Sequence, residues 1–204
     1  MSKKTLYLIG IFVVMIGIFY AFTYSDIKGT KQSLPVLGNP GHTVGPFAFV
    51  DQKDDTVTQN NLNGKVSVVE YFFTRCTGIC PKMNKNMDRI YEEFKGTPGF
   101  QILSYTVDPA HDSVAVLAKY AEQWGADPKI WKFLTGSRKE LFDVAIHQYL
   151  LSVADSLGVN DQFVHTQYFA LVDGQRQIRG FYDGLKQDDL TKLKKDIHSL
   201  LEEE

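Results

Sequence analysis

A chain that runs VSVVEYFFT into CTGIC and then into PKMNKNM has few ways to fold. Val66 to Thr74 is apolar on both faces, which predicts a central strand covered on both sides. Glu70 is its one exception, read as a pairing or edge feature. Cys76 and Cys80, the only two cysteines of the chain, follow at once. Beyond Pro81, Met83, Met87, Ile90 and Phe94 recur with the spacing of one apolar helix face, and Cys80 heads that face. Both thiols therefore belong at the carboxyl end of a strand and the start of a helix. Open α/β sheets bind ligands at that edge. A helix N-terminus there also favours thiolate over thiol.

The 204 residues suit one membrane element and one domain of ordinary size. A net charge of −2, with no clustered basic patch, argues against nucleic acid as a partner. Two cysteines in so long a chain do not make a disulfide framework. They form one spaced pair, suited to redox chemistry or to a soft metal.

Lys3 and Lys4 precede an uncharged apolar run, Thr5 to Tyr24. About twenty helical residues span roughly 30 Å, the thickness of a bilayer's hydrocarbon core. Gly17, Phe19 and Ala21 match a small-x-small cleavage site poorly, and no cysteine follows that could carry a lipoprotein anchor. The expectation is an uncleaved, single N-terminal transmembrane helix over residues 1–24. Its lysines should stay in the cytoplasm, placing the remainder on the periplasmic or extracytoplasmic side of the cytoplasmic membrane. Residues 25–45, broken by Gly29, Pro35, Gly38, Pro40, Gly41 and Gly45, read as a tether. Such a coil reaches roughly 25 Å. The alternative is that Gly41 to Gly45 already packs on the domain edge.

Residues 46–204 then form the domain. Phe47–Val50 and Thr56–Thr58 predict a small N-terminal β-hairpin. Phe100–Val107 and Ile130–Leu134 predict strands, and Asp112 or Ser113 caps a helix reaching Trp124. Ser137 opens a third helix, with Leu141, Ala145 and Tyr149 on one face, and Leu151–Asp155 suggests a short extra strand. Tyr168–Val172 and Ile178–Tyr182 flank a tight Asp173–Gly174 turn, and a final helix from Asp188 buries Leu190, Leu193, Ile197 and Leu200. A βαβ half followed by a ββα half, with a cysteine pair after the first central strand, is the thioredoxin-like layout: an α/β fold with a central mixed sheet flanked by helices.

Cysteines four apart on a turn entering a helix can converge. Two thiolates suit soft ions such as Cu(I), and also Zn, but need a further ligand. The same pair could cycle between dithiol and disulfide, or form an idle disulfide in an oxidising compartment. His165 precedes the strand that, in this layout, faces the cysteine loop, so its imidazole could reach the thiols. His42, His111, His147 and His198 read as solvated or structural. Met83 and Met87 read as core. Asp108 closes a strand beside the loop and serves either as an auxiliary oxygen ligand or as a turn residue. Arg75 either lowers the Cys76 pKa or is simply exposed. A thiol peroxidase is a further reading, weakened by the lack of a Pro-x-x-x-Thr-x-x-Cys signature.

Tyr71-Phe72-Phe73-Thr74-Arg75-Cys76-Thr77-Gly78-Ile79-Cys80-Pro81 and the later Val164-His165-Thr166 resemble the Sco family of copper chaperones. Thr106-Val107-Asp108-Pro109 with Asp112, the Tyr120-Ala121 helix end and the single N-terminal anchor match as well. The resemblance covers roughly Pro46 to Leu201. It implies a thioredoxin-like domain that binds one copper, Cu(I) or Cu(II), through Cys76, Cys80 and His165, with Asp108 as a helper. It implies delivery of copper to the CuA centre of a cytochrome c oxidase subunit, or reduction of the cysteines there. One departure is Thr77-Gly78 between the cysteines, which leaves the sulfurs in place and bears on partner choice.

Overall fold

The computed structural model describes residues 4–5, 10–20, 33–151 and 166–203. The chain divides into two units, Met1–Ser33 and Leu34–Glu204. In the first, residues 10–20 are helical, and Phe12, Val13, Val14, Met15 and Phe19 are exposed. Among the described residues no helix is long and apolar enough to cross a membrane, and 1–3, 6–9 and 21–24 of the expected span lie outside them.

The second unit is built on a seven-stranded sheet ordered β2-β1-β5-β4-β3-β6-β7. Its strands are β1 (Ala48–Asp51), β2 (Thr56–Thr58), β3 (Val66–Phe72), β4 (Phe100–Thr106), β5 (Trp131–Thr135), β6 (Tyr168–Val172) and β7 (Ile178–Asp183). Strands β3, β4 and β5 run parallel, while β1 and β6 join antiparallel on either side. The first two strands are the expected hairpin, and the whole is the expected thioredoxin-like mixed sheet.

Alternation along β3 sorts the core into two layers. Val66, Val68 and Phe72 face helices α1 (Cys80–Phe94), α2 (Val114–Gln123) and α4 (Gln187–Leu201). Val69 and Tyr71 face the other way, against Phe49, Tyr105 and the short helix α3 (Arg138–Asp143). On α1 the buried residues include Cys80, Met83, Met87, Ile90 and Phe94, the predicted face.

The chain departs from the sequence expectation at three places. The third helix does not run on regularly: after Asp143 the chain widens into a π-turn over Val144–Gln148, closed by Tyr149 N–H donating to Val144 O. That bulge brings the Tyr149 hydroxyl to Tyr105 at 2.7 Å and lets Gln148 accept from Gly45 N–H and His42 Nε2. Leu151 is helical, and the rest of the strand expected over Leu151–Asp155 lies outside the described residues. Between β6 and β7, Asp173 and Gln177 bracket three residues, and the left-handed residue is Arg176 (φ 65°), not Gly174. The Asp173 carboxylate accepts from the backbone of Gln175 and Gln177, which stabilises this longer turn over a two-residue one.

Residues 34–45, read from the sequence as part of the tether with packing of Gly41 to Gly45 on the domain edge as the alternative, lie against the domain, as that alternative has it. Leu37 bridges to Ile178, Val44 is fully buried, and Arg179 donates to the carbonyls of Leu34 and Pro35. Ile178 pairs with Val172, which pairs with Ser67 near the start of β3. This strap therefore docks at the pole opposite the end where β3 delivers the cysteines.

Candidate metal centre

β3 ends at Phe72, and Val107 N–H donates to the Phe72 carbonyl, so the carboxyl ends of β3 and β4 lie side by side. The loop 73–79 rises from this edge, and its Cys76 N–H donates to the Phe73 carbonyl. Pro81 sits at the first turn of α1, where its missing N–H costs nothing and its fixed φ suits the helix. Ile79 occupies the N-cap and has no side chain able to cap; the Lys82 and Met83 amides donate to its carbonyl, and the Cys80 amide turns to the Cys76 sulfur.

Both cysteines are free, Cys76 half-buried and Cys80 buried. Their surroundings pull the two thiols apart. Partial burial pushes the Cys76 thiol up, but the Cys80 thiol and the backbone N–H groups of Cys80, Gly78 and Ile79 outweigh it, leaving Cys76 below its ordinary range. Deeper burial, then the neighbouring Cys76 sulfur, pushes Cys80 up to about 12. The helix entrance thus holds one thiol that ionises more readily than usual and, behind it, one that resists ionisation.

Arg75 is turned toward Asp108: its side chain is 60% exposed and its guanidinium pairs with the Asp108 carboxylate at 2.6 Å. Asp108 keeps one oxygen on Arg75, and its N–H donates to Thr106 Oγ1. His42 donates to the Gln148 carbonyl, His198 lies 3.5 Å from Glu93 against the Phe94 ring, and His111 and His147 are exposed. Among the described residues, no three His, Cys, Asp or Glu side chains are grouped to hold a metal. His165 lies outside the described residues, so the structure brings together Cys76 and Cys80, with Asp108 at the same edge of the sheet.

Below Cys80 lies a polar cluster that sequence reasoning missed. Glu70, read from the sequence as a pairing or edge feature, is a pairing one: fully buried within the central strand, it accepts from the Ser104 hydroxyl at 2.6 Å. Asn84, one helical turn beyond Cys80, donates to the Tyr120 hydroxyl. Glu70 Oε2, Asn84 Oδ1 and Trp124 Nε1 are buried with no hydrogen-bond partner among the described residues. Burial raises the Glu70 carboxyl to about 7, and its charge adds to the forces that hold Cys80 protonated. The only sequence signal was a single carboxylate inside an apolar run.

Residues 37–202 match the SCO1/SenC family model. The SCO1 protein homolog of Bacillus subtilis is 29% identical over 160 residues, covering 78% of this chain and 82% of that protein. Among solved structures, BsSco, a member of the Sco family of cytochrome c oxidase assembly proteins in which a disulfide switch was identified, superposes with a TM-score of 0.70. It is 27% identical, and the match covers 85% of this chain and all of BsSco. Yeast Sco1 with copper bound superposes with a TM-score of 0.57 at 28% identity, covering 79% of this chain and 96% of that one. Two free cysteines at the end of the central strand, in a domain whose residues 37–202 match the family model, establish that the chain belongs to the SCO1/SenC family.

Proposed function

We propose that this protein is a membrane-anchored copper chaperone that binds copper through Cys76, Cys80 and His165, with Asp108 as an auxiliary group. In this reading its client is the CuA site of cytochrome c oxidase. The observation that carries the reading is the pair of free, unequal thiols at the carboxyl end of β3. Two thiolates and one imidazole give three soft-to-intermediate ligands, which suits Cu(I) and leaves room for a client's thiolate to enter. Copper then passes by ligand exchange, with no bond of the chaperone made or broken other than those to the metal. The copper-bound yeast Sco1 structure and the assembly role of BsSco support this assignment. The apolar helix at residues 10–20, with its side chains exposed, supports the anchor. The charge pattern around that helix supports a domain on the extracytoplasmic side of the membrane.

The unequal thiols also favour a second reading, thiol–disulfide exchange. The Cys76 thiolate would attack a client disulfide and form a mixed disulfide. Cys80, once deprotonated, would attack the Cys76 sulfur and release the client as a dithiol, leaving a Cys76–Cys80 disulfide. Two electrons pass from the pair to the client, so this route maintains client thiols without carrying metal.

Cu(I) titration and disulfide reduction by the reduced full-length chain in mild detergent, wild type beside His165→Ala, separate the two. The chaperone reading expects His165→Ala to lose copper affinity and keep reductase activity. Full copper affinity in that variant, or in Cys76→Ser, overturns the ligand assignment.

A further inference from the structure

We propose that Asp112 is a positioning residue for the cysteine loop, its buried carboxylate fixing the point from which Cys76 is presented. The inference rests on the thiol site proposed above and adds to it the part that holds it in shape.

Asp112 stands where a helix cap was expected, just before α2. Ser113, not Asp112, occupies the N-cap position. The Asp112 side chain turns instead to the ends of β3 and β4. Its Oδ2 accepts from Thr74 N–H at 3.2 Å and from the Thr106 hydroxyl at 2.5 Å, and its Oδ1 accepts from the Thr74 hydroxyl at 2.5 Å. It is fully buried, and no cation pairs with it among the described residues. Three donors from two strand ends converge on one acceptor. Thr74 is two residues before Cys76, and Thr106 is two residues before Asp108.

The choice of a carboxylate has a consequence that an amide would not. An ionised carboxylate only accepts, so both threonine hydroxyls must point their hydrogens at it. The Thr106 oxygen is then free to accept, and it does so from Asp108 N–H at 3.0 Å. One buried group thereby fixes the base of the cysteine loop and the backbone that carries Asp108. Side chains that meet a metal or a partner sulfur are effective only when a supporting layer locks them. Burying a charge without a cation is costly. A mere tie between two threonines could be made by a neutral side chain.

The test uses the full-length chain in mild detergent, with Asp112→Asn, Thr74→Val and the double variant. Asp112→Asn keeps the shape but faces a hydroxyl donor with an amide donor. Thr74→Val keeps the β-branched shape and removes the hydroxyl, so it serves even where the aspartate variant folds poorly. Cu(I) affinity and the dithiol–disulfide equilibrium of Cys76 and Cys80 are measured on protein whose circular dichroism is unchanged. The expected result is a loss of about tenfold in Cu(I) affinity for each single variant, with the double variant no worse than either, because both break one link. The dithiol–disulfide equilibrium constant should shift by about tenfold, or about 30 mV. Asp112→Asn retaining both quantities within about twofold overturns the proposal, as do losses that multiply in the double variant. A wild type that takes up no copper sinks the chaperone reading alone, and the dithiol–disulfide equilibrium still reports on Asp112.

Discussion

Ser104 donates its hydroxyl to Glu70 across the β3–β4 ladder at 2.6 Å, and Trp131 Nε1 donates to the same hydroxyl oxygen at 2.9 Å. The chain of contacts satisfies one Glu70 oxygen and leaves the other buried without a partner among the described residues. A carboxyl so placed resists ionisation, which is why burial lifts it to about 7.

That displacement makes stability depend on pH. The unfolded chain ionises Glu70 near 4.5, whereas the folded chain keeps the proton until about 7. Between those values the folded state binds more protons, so stability is greatest below the lower value and falls as pH rises through the upper one. The full effect is on the order of 3 kcal/mol. Glu70→Gln removes this slope. Urea unfolding of the reduced, metal-free chain should show the variant gaining on wild type by roughly 2 kcal/mol between pH 5 and pH 8. Parallel pH profiles for the two proteins would contradict the buried-acid assignment.

The unequal thiols predict unequal alkylation. In the reduced, metal-free chain at neutral pH, iodoacetamide should modify Cys76 first, with the midpoint of its rate–pH profile below the usual thiol value. Cys80, buried and pushed up, should react far more slowly. The Cys80 thiol is among the groups that lower Cys76, so Cys80→Ala should move the Cys76 midpoint upward. Peptide mapping after timed quenching reads all three. Equal labelling of the two cysteines would refute the asymmetry.

Met83 and Met87 are 1% and 0% exposed among the side chains of the α1 layer, away from the solvent edge of the loop. They are core and not ligands. Met87→Leu should cost less than about 1.5 kcal/mol, and Met87→Ala about 2–5 kcal/mol through the cavity it leaves. Neither should change copper stoichiometry in a Cu(I) titration. A lost equivalent of copper in Met87→Leu would make the sulfur a ligand after all.

These elements were legible because their signals are local. The apolar run of β3, the four-three-four spacing on α1 and the turn residues around β1–β2 each sit within a dozen positions, where period and breaker residues speak directly. What escaped were ties between distant positions. Glu70 stood out as a lone charge, yet its partner Ser104 is 34 residues on, and the link from Thr74 to Asp112 spans 38. The sequence offered Asp112 or Ser113 as the cap, and Ser113 takes the N-cap position, but nothing near Asp112 pointed to Thr74. The strap was legible only in part. Packing of Gly41 to Gly45 on the domain edge was one reading, but the prolines and glycines read equally as coil, and the group that fastens the strap, Arg179, lies 145 residues from Leu34.

Arg179 supplies the last prediction. It is 9% exposed and pairs with Asp173 at 2.8 Å, while its other nitrogens hold the Leu34 and Pro35 carbonyls at 2.6 and 3.3 Å. Arg179→Met leaves the Asp173 charge buried and opposed by backbone N–H groups alone, so stability should fall by about 3 kcal/mol. Removing the charge as well, in Asp173→Asn/Arg179→Met, should recover part of that loss, since the penalty belongs to the orphaned carboxylate. The strap should loosen locally too. Leu37 N–H donates to the Ile178 carbonyl beside Arg179, and Val44 N–H donates to the Arg176 carbonyl further along. Hydrogen exchange in Arg179→Met should therefore quicken more at Leu37 than at Val44. Equal quickening at both would mean that the strap is held by its sheet contacts as one unit and that Arg179 is not its fastening.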